Sequence, residues 1–421
     1  MNLRIDDGKS YIGRVCFDQI AETYGTPFYL YDMGTVDDRI RRVRSAFGAE
    51  IELYYAVKAN SNLELLRSLR PAIDGLDISS VGEMEQALLA GYESSGMSFA
   101  GPGKNKTELE RALKEGVGII SAESTRELEA IRSMAAGSKL RANVVLRVNP
   151  TLFIKEFAIK MGGAPTQFGI DEEDIDDAVA YVKQHAGLMQ LRGIHVYGGT
   201  QCMSGEAISR NMAYTLRLAA NLRGKHDIDW DWINLGGGFG VAYYGESGEL
   251  DLHPIAASLK DALREYSGAS GRRPRVIIEL GRYLVAEGGL YVTRVVREKA
   301  SRGEMFYVLD GGMNHHLAAS GNLGSVIRKN YVLKNLSNPG GEREKCNLVG
   351  PLCTPLDLMG KAVSVEKPRE GDLIAFFNSG SYAFTSSPLL FLGHDTPVEL
   401  LLSDDVLRVI RNRRKLTDFN S

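Results

Sequence analysis

The chain has little of what would indicate a metal site, a disulfide framework or a membrane span. Its 421 residues contain four cysteines (Cys16, Cys202, Cys346 and Cys353) with no CxxC pair and no zinc-like spacing to histidine, so no structural metal is expected. Four thiols in this length are too few for a disulfide-stabilised scaffold. No uncharged apolar run approaches the ~20 residues that span a bilayer, and residues 1–7 lack the apolar core of a signal peptide. We therefore expect a cytoplasmic protein with reduced thiols.

An excess of charge of one sign is also absent. Lys and Arg total 50 and Asp and Glu total 53, which gives a formal net charge of −3. This balance argues against a nucleic-acid partner, which needs a basic face, and against attachment to an anionic membrane. A hydrophobic content of 44% and a charged content of 24% are ordinary for a folded globular protein and exclude intrinsic disorder.

The chain does contain a regular alternation of apolar runs and amphipathic segments from about residue 27 to about residue 280. Most runs are rich in β-branched residues and end in a polar or glycine-bearing turn. The alternation predicts parallel strands with helical crossovers, and about eight units in ~250 residues fit a closed (β/α)8 barrel. The predicted strands are residues 51–57, 75–78, 97–100, 118–121, 143–148, 193–196, 232–235 and 276–279.

The pattern changes after about residue 285, where Gly and Pro separate short β-type runs. This predicts an all-β domain that follows the barrel. Catalytic groups of a (β/α)8 barrel lie at the carboxyl ends of its strands, so the residues that follow each predicted strand are the candidates for a functional site.

A lysine follows the first predicted barrel strand. The run YYAVKAN at residues 54–60 puts Lys58 directly after the apolar strand. A lysine in this position is most often a solvated surface residue. If it is partly buried, its amine can be neutral and can attack a carbonyl group, so the position alone leaves both interpretations open.

Two further strand ends carry chemically useful groups. The run NLGGGFG at residues 234–240 could bring backbone N–H groups close to a phosphate, although a simple tight turn explains it too, and its spacing is not that of a dinucleotide site. In IIELGR at residues 277–282, Glu279 could keep a pyridine nitrogen protonated while Arg282 pairs with a phosphate. The alternative for Glu279 and Arg282 is a structural ion pair.

Two loops of the predicted β-domain complete the set. The run GPLCTPLD at residues 350–357 carries Cys353, although a lone cysteine is more often an inert buried side chain. The run NSGSY at residues 378–382 ends in Tyr382, whose phenol could donate to a phosphate. A lysine for a carbonyl, a carboxylate for a ring nitrogen and several phosphate ligands together describe a pyridoxal phosphate site.

In this order, the motifs YAVKAN, GGGFG, ELGR, GPLC and SGSY resemble those of the fold type III pyridoxal phosphate decarboxylases, which include diaminopimelate, ornithine and arginine decarboxylases. The resemblance covers nearly the whole chain. It implies an alanine-racemase-like barrel over residues 26–280, a β-domain formed by residues 1–25 with 281–421, and a homodimer with shared active sites. Stretches such as SFAGPGK at residues 98–104 and DGGMNHH at residues 310–316 are most similar to the branch of exosortase-associated and butirosin L-glutamyl-carrier-protein decarboxylases.

The resemblance also implies roles for individual residues. Lys58 matches the Schiff-base lysine, Glu279 the carboxylate on the pyridine nitrogen, and Cys353 the proton donor that comes from the neighbouring subunit. Tyr197 stands where the family carries a ring-stacking histidine, and His195 lies two residues earlier. The full set of implied cofactor ligands is Lys58, Asp77, Tyr197, Thr200, Gly236, Gly237, Gly238, Glu279, Gly281, Arg282 and Tyr382. The implied substrate-binding residues are Arg328, Tyr331, Thr354 and Asp357.

The position after Cys353 departs from the family pattern. Diaminopimelate decarboxylases carry Glu there and ornithine decarboxylases carry Asp, and this carboxylate pairs with the distal ammonium of the substrate. Thr354 cannot do so, and an unpaired buried ammonium costs ~3–5 kcal/mol. We therefore expect a decarboxylase for a glutamate-like or carrier-linked amino acid. A true meso-diaminopimelate decarboxylase, an amino-acid racemase and an inactive binding paralogue are the alternatives.

Overall fold

The computed structural model describes residues 1, 3–245, 248–268, 273–322 and 329–420. The chain divides into two compact units. We call Ile40–Val241 with Glu249–Tyr283 the barrel unit, and Met1–Arg39 with Ala242–Gly248 and Leu284–Ser421 the β unit.

Strands occur in both units. In chain order they are β1 (Arg4–Asp6), β2 (Lys9–Ile12), β3 (Val15–Cys16), β4 (Phe28–Asp32), β5 (Glu52–Ala56), β6 (Gly75–Ile78), β7 (Met97–Phe99), β8 (Ile119–Ala122), β9 (Ala142–Asn149), β10 (Ile159–Lys160), β11 (Ile170–Asp171), β12 (Met189–Val196), β13 (Gly199–Thr200), β14 (Trp232–Gly237), β15 (Arg275–Leu280), β16 (Gly289–Ser301), β17 (Glu304–Leu309), β18 (Leu333–Asn335), β19 (Arg343–Val349), β20 (Leu358–Glu366), β21 (Leu373–Phe376), β22 (Val398–Ser403) and β23 (Val406–Arg411).

The α-helices lie mainly between the strands of the barrel unit. In chain order they are α1 (Phe17–Tyr24), α2 (Met33–Phe47), α3 (Leu63–Leu69), α4 (Val81–Leu89), α5 (Lys106–Glu115), α6 (Thr125–Ser138), α7 (Ile175–Gln184), α8 (Gly205–His226), α9 (Leu252–Gly268) and α10 (Arg282–Val285).

The barrel unit is built on a closed parallel sheet. The strand order is β5-β6-β7-β8-β9-β12-β14-β15, and β15 pairs with β5 to close the ring. Each of the eight strands overlaps one of the apolar runs predicted from the sequence, so the predicted (β/α)8 barrel is confirmed. Side chains from five of the strands form one buried cluster; they are Tyr54, Ile119, Val145, Trp232 and Ile277.

Local sequence signals explain where several barrel helices begin. The side chain of Ser80 accepts a hydrogen bond from the backbone N–H of Glu83 at the start of α4, and Ser124 does the same for Glu127 at the start of α6. A capping box links Asn105 to the third residue of α5. Such caps satisfy amide groups that the first turn leaves unpaired, and they fix the strand-to-helix connections that follow β6, β7 and β8.

The β unit contains a mixed sheet with the order β20-β19-β17-β16-β4-β22-β23, and β21 and β18 branch from β16. Strand β4 pairs antiparallel with β16 and parallel with β22. The predicted domain boundary at residue 26 would put this strand in the barrel, whereas the structure pairs it inside the sheet of the β unit. The reason is burial, because Phe28 to Tyr31 are all buried and Phe28 and Leu30 join the core of that sheet.

The described residues contain neither a membrane-spanning helix nor a metal-binding cluster. No helix in this part of the chain combines the length and the apolar character needed to cross a membrane. The same residues contain no cluster of three or more His, Cys, Asp or Glu side chains that could hold a metal ion.

Candidate active site

A lysine–aspartate pair lies at the carboxyl ends of two neighbouring barrel strands. Strand β5 ends at Ala56, which is in register with Asp77 of β6, and a single 3-10 turn after β5 carries Lys58. The Nζ atom of Lys58 is 3.0 Å from Oδ2 of Asp77. The Asp77 side chain has no exposed surface, whereas that of Lys58 is 40% exposed. The pair therefore consists of a buried anion and a cation that solvent can still reach.

Glu279 is the second buried carboxylate at this end of the barrel. Its Oε1 accepts a hydrogen bond from Nδ2 of Asn234 on the adjacent strand β14. Its Oε2 lies 3.5 Å from Nε2 of His195, whose Nδ1 is 3.0 Å from Oγ of Ser121. Burial, and then the charge of Asp77, raises the pKa of Glu279 to about 8. The negative form of this carboxylate is therefore costly in these surroundings.

His195 is buried on β12, and its pKa differs from that of a typical histidine. Burial lowers its pKa well below the ordinary value, and the positive charges of Arg147 and Lys58 act in the same direction. His195 is therefore neutral at physiological pH. A neutral imidazole can accept from Ser121 at one nitrogen and face Glu279 with the other, and so can help to orient that carboxylate.

The ring of Tyr197 lies among the cations of the site. Lys58 Nζ is 5.8 Å from the ring centroid, and Cζ of Arg147 is 5.9 Å from it. Arg147 itself is buried on β9 and forms a 2.7 Å ion pair with Glu123. Lys58, Asp77, Tyr197 and Glu279, four of the residues implied by the resemblance, thus lie in one cluster of the barrel unit.

Sequence reasoning missed Arg147 and Asn234 as members of this cluster. A signal for Arg147 was present, since an arginine inside the apolar run 143–148 needs a buried partner. Asn234 directly precedes the glycine run, and its side-chain oxygen accepts a hydrogen bond from the N–H of Gly236 at 2.9 Å. Its second role as a donor to Glu279 depends on a strand 45 residues further along, which the local sequence does not reveal.

The glycine run after β14 packs tightly against neighbouring backbone. Gly236 and Gly238 have positive φ angles of 65° and 83°, a region that favours glycine. A Cβ atom at Gly237 would overlap the carbonyl oxygen of Glu279, and one at Gly238 would overlap that of Gly199. The run therefore lies against Glu279 on one side and against β13, which ends at Thr200, on the other.

Gly281 and Arg282 follow β15 and begin the short helix α10. A Cβ atom at Gly281 would overlap the side chain of Ala59, beside Lys58. The absence of a side chain at Gly281 thus lets the start of this helix approach the turn that carries the lysine.

The remaining predicted site residues belong to the β unit. Cys353 is exposed, unlike the other three cysteines. The Thr354 hydroxyl accepts a 3.3 Å hydrogen bond from the N–H of Leu356. Tyr331 is buried and its ring lies 5.1 Å from that of Tyr243, and Tyr382 has a φ angle of 49°. Arg328 lies outside the described residues.

Asp357, implied by the resemblance as a substrate-binding residue, is buried and bonded to backbone amides. Its side chain is only 2% exposed, and its two oxygens accept hydrogen bonds from the N–H groups of Met313 and Leu352 at 2.6 and 2.9 Å. Because backbone amides already engage both oxygens, the geometry favours a role in holding its loop over contact with a substrate.

Comparison with known proteins identifies the family. The model of the "Pyridoxal-dependent decarboxylase, pyridoxal binding domain" family matches residues 33–286. The chain belongs to the pyridoxal-dependent decarboxylases. An L-glutamyl-[BtrI acyl-carrier protein] decarboxylase from Niallia circulans is 40% identical over 403 residues, which cover 95% of this chain and 94% of that protein. A diaminopimelate decarboxylase from Campylobacter jejuni is 32% identical, with 96% and 97% covered.

A solved structure supports the same assignment at the level of the fold. The crystal structure of diaminopimelate decarboxylase from Helicobacter pylori complexed with L-lysine superposes with a TM-score of 0.86 at 30% identity, covering 96% of this chain and 98% of that one. The prediction of an amino-acid decarboxylase with an alanine-racemase-like barrel and a β-domain is confirmed.

Pyridoxal 5′-phosphate is the cofactor of this family, and the residues of the barrel unit fit it. Glu279 is a buried carboxylate whose charge is unfavourable without a cationic neighbour, and a protonated ring nitrogen is such a neighbour. The Oδ1 atom of Asp77 is buried and has no hydrogen-bond partner among the described residues. Lys58 provides a partly exposed amine for the aldehyde group of the cofactor.

Proposed function

We propose that this enzyme removes the α-carboxylate of a glutamate-like amino acid, and that an L-glutamyl group attached to an acyl-carrier protein is the favoured substrate. The observation that carries the proposal is Thr354, which follows Cys353 and has no charge to pair with a distal ammonium group. The relative that acts on a carrier-linked glutamyl group is also more similar, at 40% identity, than the diaminopimelate decarboxylase from Campylobacter jejuni, at 32%.

The barrel unit would hold and polarise the cofactor. Lys58 would hold the aldehyde group of the cofactor, and Asp77, 3.0 Å away, would keep the lysine in position. Glu279 would pair with the ring nitrogen, and Asn234 and His195 would orient its carboxylate. When bound, pyridoxal phosphate takes up the electron pair that the departing carbon dioxide leaves on the substrate.

The other implied ligands surround these groups. Tyr197 would stack on the cofactor ring, since an aromatic ring provides contact area there even without the charge of a histidine. The phosphate would lie against the glycine run that includes Gly236, whose own N–H already donates to Asn234. It would be bound by the backbone N–H groups of Gly237, Gly238 and Gly281 together with the side chains of Thr200, Arg282 and Tyr382.

Cys353 would return the proton that completes the reaction. The C–C bond to the carboxylate breaks, carbon dioxide leaves, and the thiol proton of Cys353 is transferred to the α-carbon as general acid. We propose that this cysteine comes from the second subunit of a homodimer, with Tyr331 and Arg328 beside the distal part of the substrate. The homodimer and a cytoplasmic location stay predictions.

A true meso-diaminopimelate decarboxylase is the second candidate. Its support is the similarity over nearly the full length to diaminopimelate decarboxylases, both in sequence and in fold. In this case the distal ammonium would need a partner other than the residue after Cys353.

The test is carbon dioxide release by the cofactor-loaded protein. The substrates are meso-diaminopimelate, ornithine, lysine, arginine, free L-glutamate and L-glutamate tethered to a carrier protein. We expect turnover of the tethered glutamate that exceeds turnover of any free amino acid by at least about 10²-fold. Efficient turnover of meso-diaminopimelate would contradict the proposal and support the second candidate.

The variant Thr354→Glu tests the reasoning about the distal charge. A carboxylate at this position should pair with a distal ammonium. Beside a tethered glutamyl group, whose distal carboxyl is uncharged because it carries the tether, the same carboxylate would be an unpaired and costly charge. We expect kcat/KM for tethered glutamate to fall about 10-fold and turnover of meso-diaminopimelate to rise. Thr354→Gln is the matched control, because it adds similar bulk without charge. A rise on tethered glutamate with no gain on diaminopimelate would refute the reasoning.

A further inference from the structure

The loop that carries Cys353 is held at its two ends by one residue. The backbone N–H of Gly350 donates to the carbonyl oxygen of Asp357 at 3.0 Å, and the N–H of Asp357 donates to that of Thr354 at 3.2 Å. Residues 350–357 therefore form a closed loop with the exposed thiol near its middle. These two hydrogen bonds restrain the backbone within the loop, but they do not attach the loop to any other segment of the β unit.

The side chain of Asp357 provides that second attachment. One oxygen accepts the N–H of Leu352, directly before the cysteine, at 2.9 Å. The other accepts the N–H of Met313, in a different segment of the β unit, at 2.6 Å. One carboxylate thus links the cysteine loop to the segment that begins at Asp310.

The two segments are shaped to admit this carboxylate. A Cβ atom at Gly312 or at Gly350 would overlap the Asp357 oxygens. The glycines of two separate motifs, DGGMNHH and GPLCTPLD, therefore leave space for the same side chain. A buried carboxylate with its lone pairs directed at backbone amides is a strong and directional contact.

We propose that Asp357 is a positioning residue for Cys353: by joining Leu352 to Met313 it fixes the thiol where it can donate its proton. Asp357 touches neither substrate nor cofactor and acts only through the loop. This inference rests on the proposed role of Cys353 as general acid. It assigns to Asp357 a function that is different from the substrate binding implied by the family resemblance.

The principal test is a double-mutant cycle between Asp357→Asn and Cys353→Ala, read out as carbon dioxide release. An amide keeps the size of the side chain but can accept only at one of its two terminal atoms. We expect Asp357→Asn to lower kcat about 10-fold with KM changed less than 2-fold and with the visible absorption of the bound cofactor unchanged. In the Cys353→Ala background the same substitution should have no further effect, because residues that act through one another are not additive.

A second readout does not depend on activity. Amide hydrogen exchange in the segment 350–357 should be at least about 10-fold faster in Asp357→Asn than in the wild type. Asp310→Asn is the matched control, because Asp310 also accepts a backbone hydrogen bond in the β unit, from Arg294 at 2.9 Å, but does not contact the cysteine loop. If Asp357→Asn does not fold, Gly312→Ala displaces the carboxylate without removing it and should give the same pattern.

Three outcomes would overturn the inference, and they can be told apart. If Asp357→Asn lowers kcat equally in both backgrounds, Asp357 has only a structural role. If exchange in the segment 350–357 is unchanged, the carboxylate does not hold the loop. If Cys353→Ala retains full activity, the proposed role of Cys353 fails first, and the positioning role of Asp357 fails with it.

Discussion

The barrel unit and the β unit differ in how their candidate reactive groups are held. At the barrel end, charged side chains are buried and contact each other: Lys58 pairs with Asp77, and Glu279 contacts Asn234 and His195. In the β unit, the thiol of Cys353 is exposed and its loop is held by hydrogen bonds to backbone amides. Contacts between side chains thus set charge and pKa in the barrel unit, whereas backbone hydrogen bonds in the β unit set the position of the thiol that we propose as the proton donor.

This difference has a consequence for mutagenesis. Substitutions at the barrel end change the electrostatic balance, so their effects should depend on pH and on the cofactor. Substitution of the exposed Cys353 leaves the charges of the barrel unit in place, so it should affect kcat and leave cofactor binding and stability nearly unchanged. The following predictions test this contrast, beginning with the largest expected effect.

Lys58→Ala should abolish catalysis. Without the amine, no side chain of the cluster can form the covalent bond to the cofactor, so we expect a loss of at least about 10³-fold in carbon dioxide release together with the loss of the visible absorption band. Lys106→Ala, at an exposed lysine at the start of α5, is the matched control and should retain full activity. Substantial residual turnover by Lys58→Ala would contradict the assignment.

Cys353→Ala should lower kcat about 10²-fold, within the range that a positioned general acid contributes. The absorption spectrum and the free energy of unfolding should stay close to those of the wild type, because the thiol is exposed and the barrel is untouched. Loss of the cofactor absorption band in Cys353→Ala would contradict this prediction, because it would show that the cysteine loop contributes to cofactor binding.

Glu279→Gln should change how the stability of the cofactor-free protein depends on pH. The pKa of Glu279 rises from 4.5 to about 8 on folding, so the native state binds more protons than the unfolded state between these values. This group therefore makes the wild type less stable as pH rises. Glutamine removes the effect, so the variant should be more stable than the wild type by about 1–3 kcal/mol near pH 8.5, with the difference shrinking below about pH 5.

Urea unfolding at several pH values measures this difference. Glu85→Gln, at an exposed glutamate of α4, is the control and should give a curve parallel to that of the wild type. A stability difference for Glu279→Gln that stays constant from pH 5 to pH 8.5 would show that burial does not hold the carboxyl group neutral.

The sequence predicted the barrel well because each barrel strand is a local apolar run with a polar turn at its end. It did not predict that β4 belongs to the β unit. Residues 28–31 read as a buried strand in either sheet, and the choice is made by β16 and β22, more than 250 residues further along. Strand pairing over such distances leaves no trace in the local pattern.

The residues of the candidate site also divide into those that the local sequence reveals and those that it does not. Lys58, Glu279 and the glycine run were visible because each lies at the end of a predicted strand or directly after it. The buried ion pair of Arg147 with Glu123 and the contact of Asn234 with Glu279 were not, because each joins two strands. The local sequence also did not reveal the hydrogen bond between Asp357 and Met313, because Met313 is 44 residues away in the chain.

The most direct test of the proposed active site is to identify the lysine that binds pyridoxal phosphate. Borohydride reduction of the loaded wild-type protein makes the bond permanent, and peptide mass spectrometry then locates it. The account predicts that the cofactor mass is found on the peptide that contains Lys58 and on no other. Cofactor attached to a different lysine, such as the buried Lys104, or no covalent attachment in a catalytically active preparation, would contradict it.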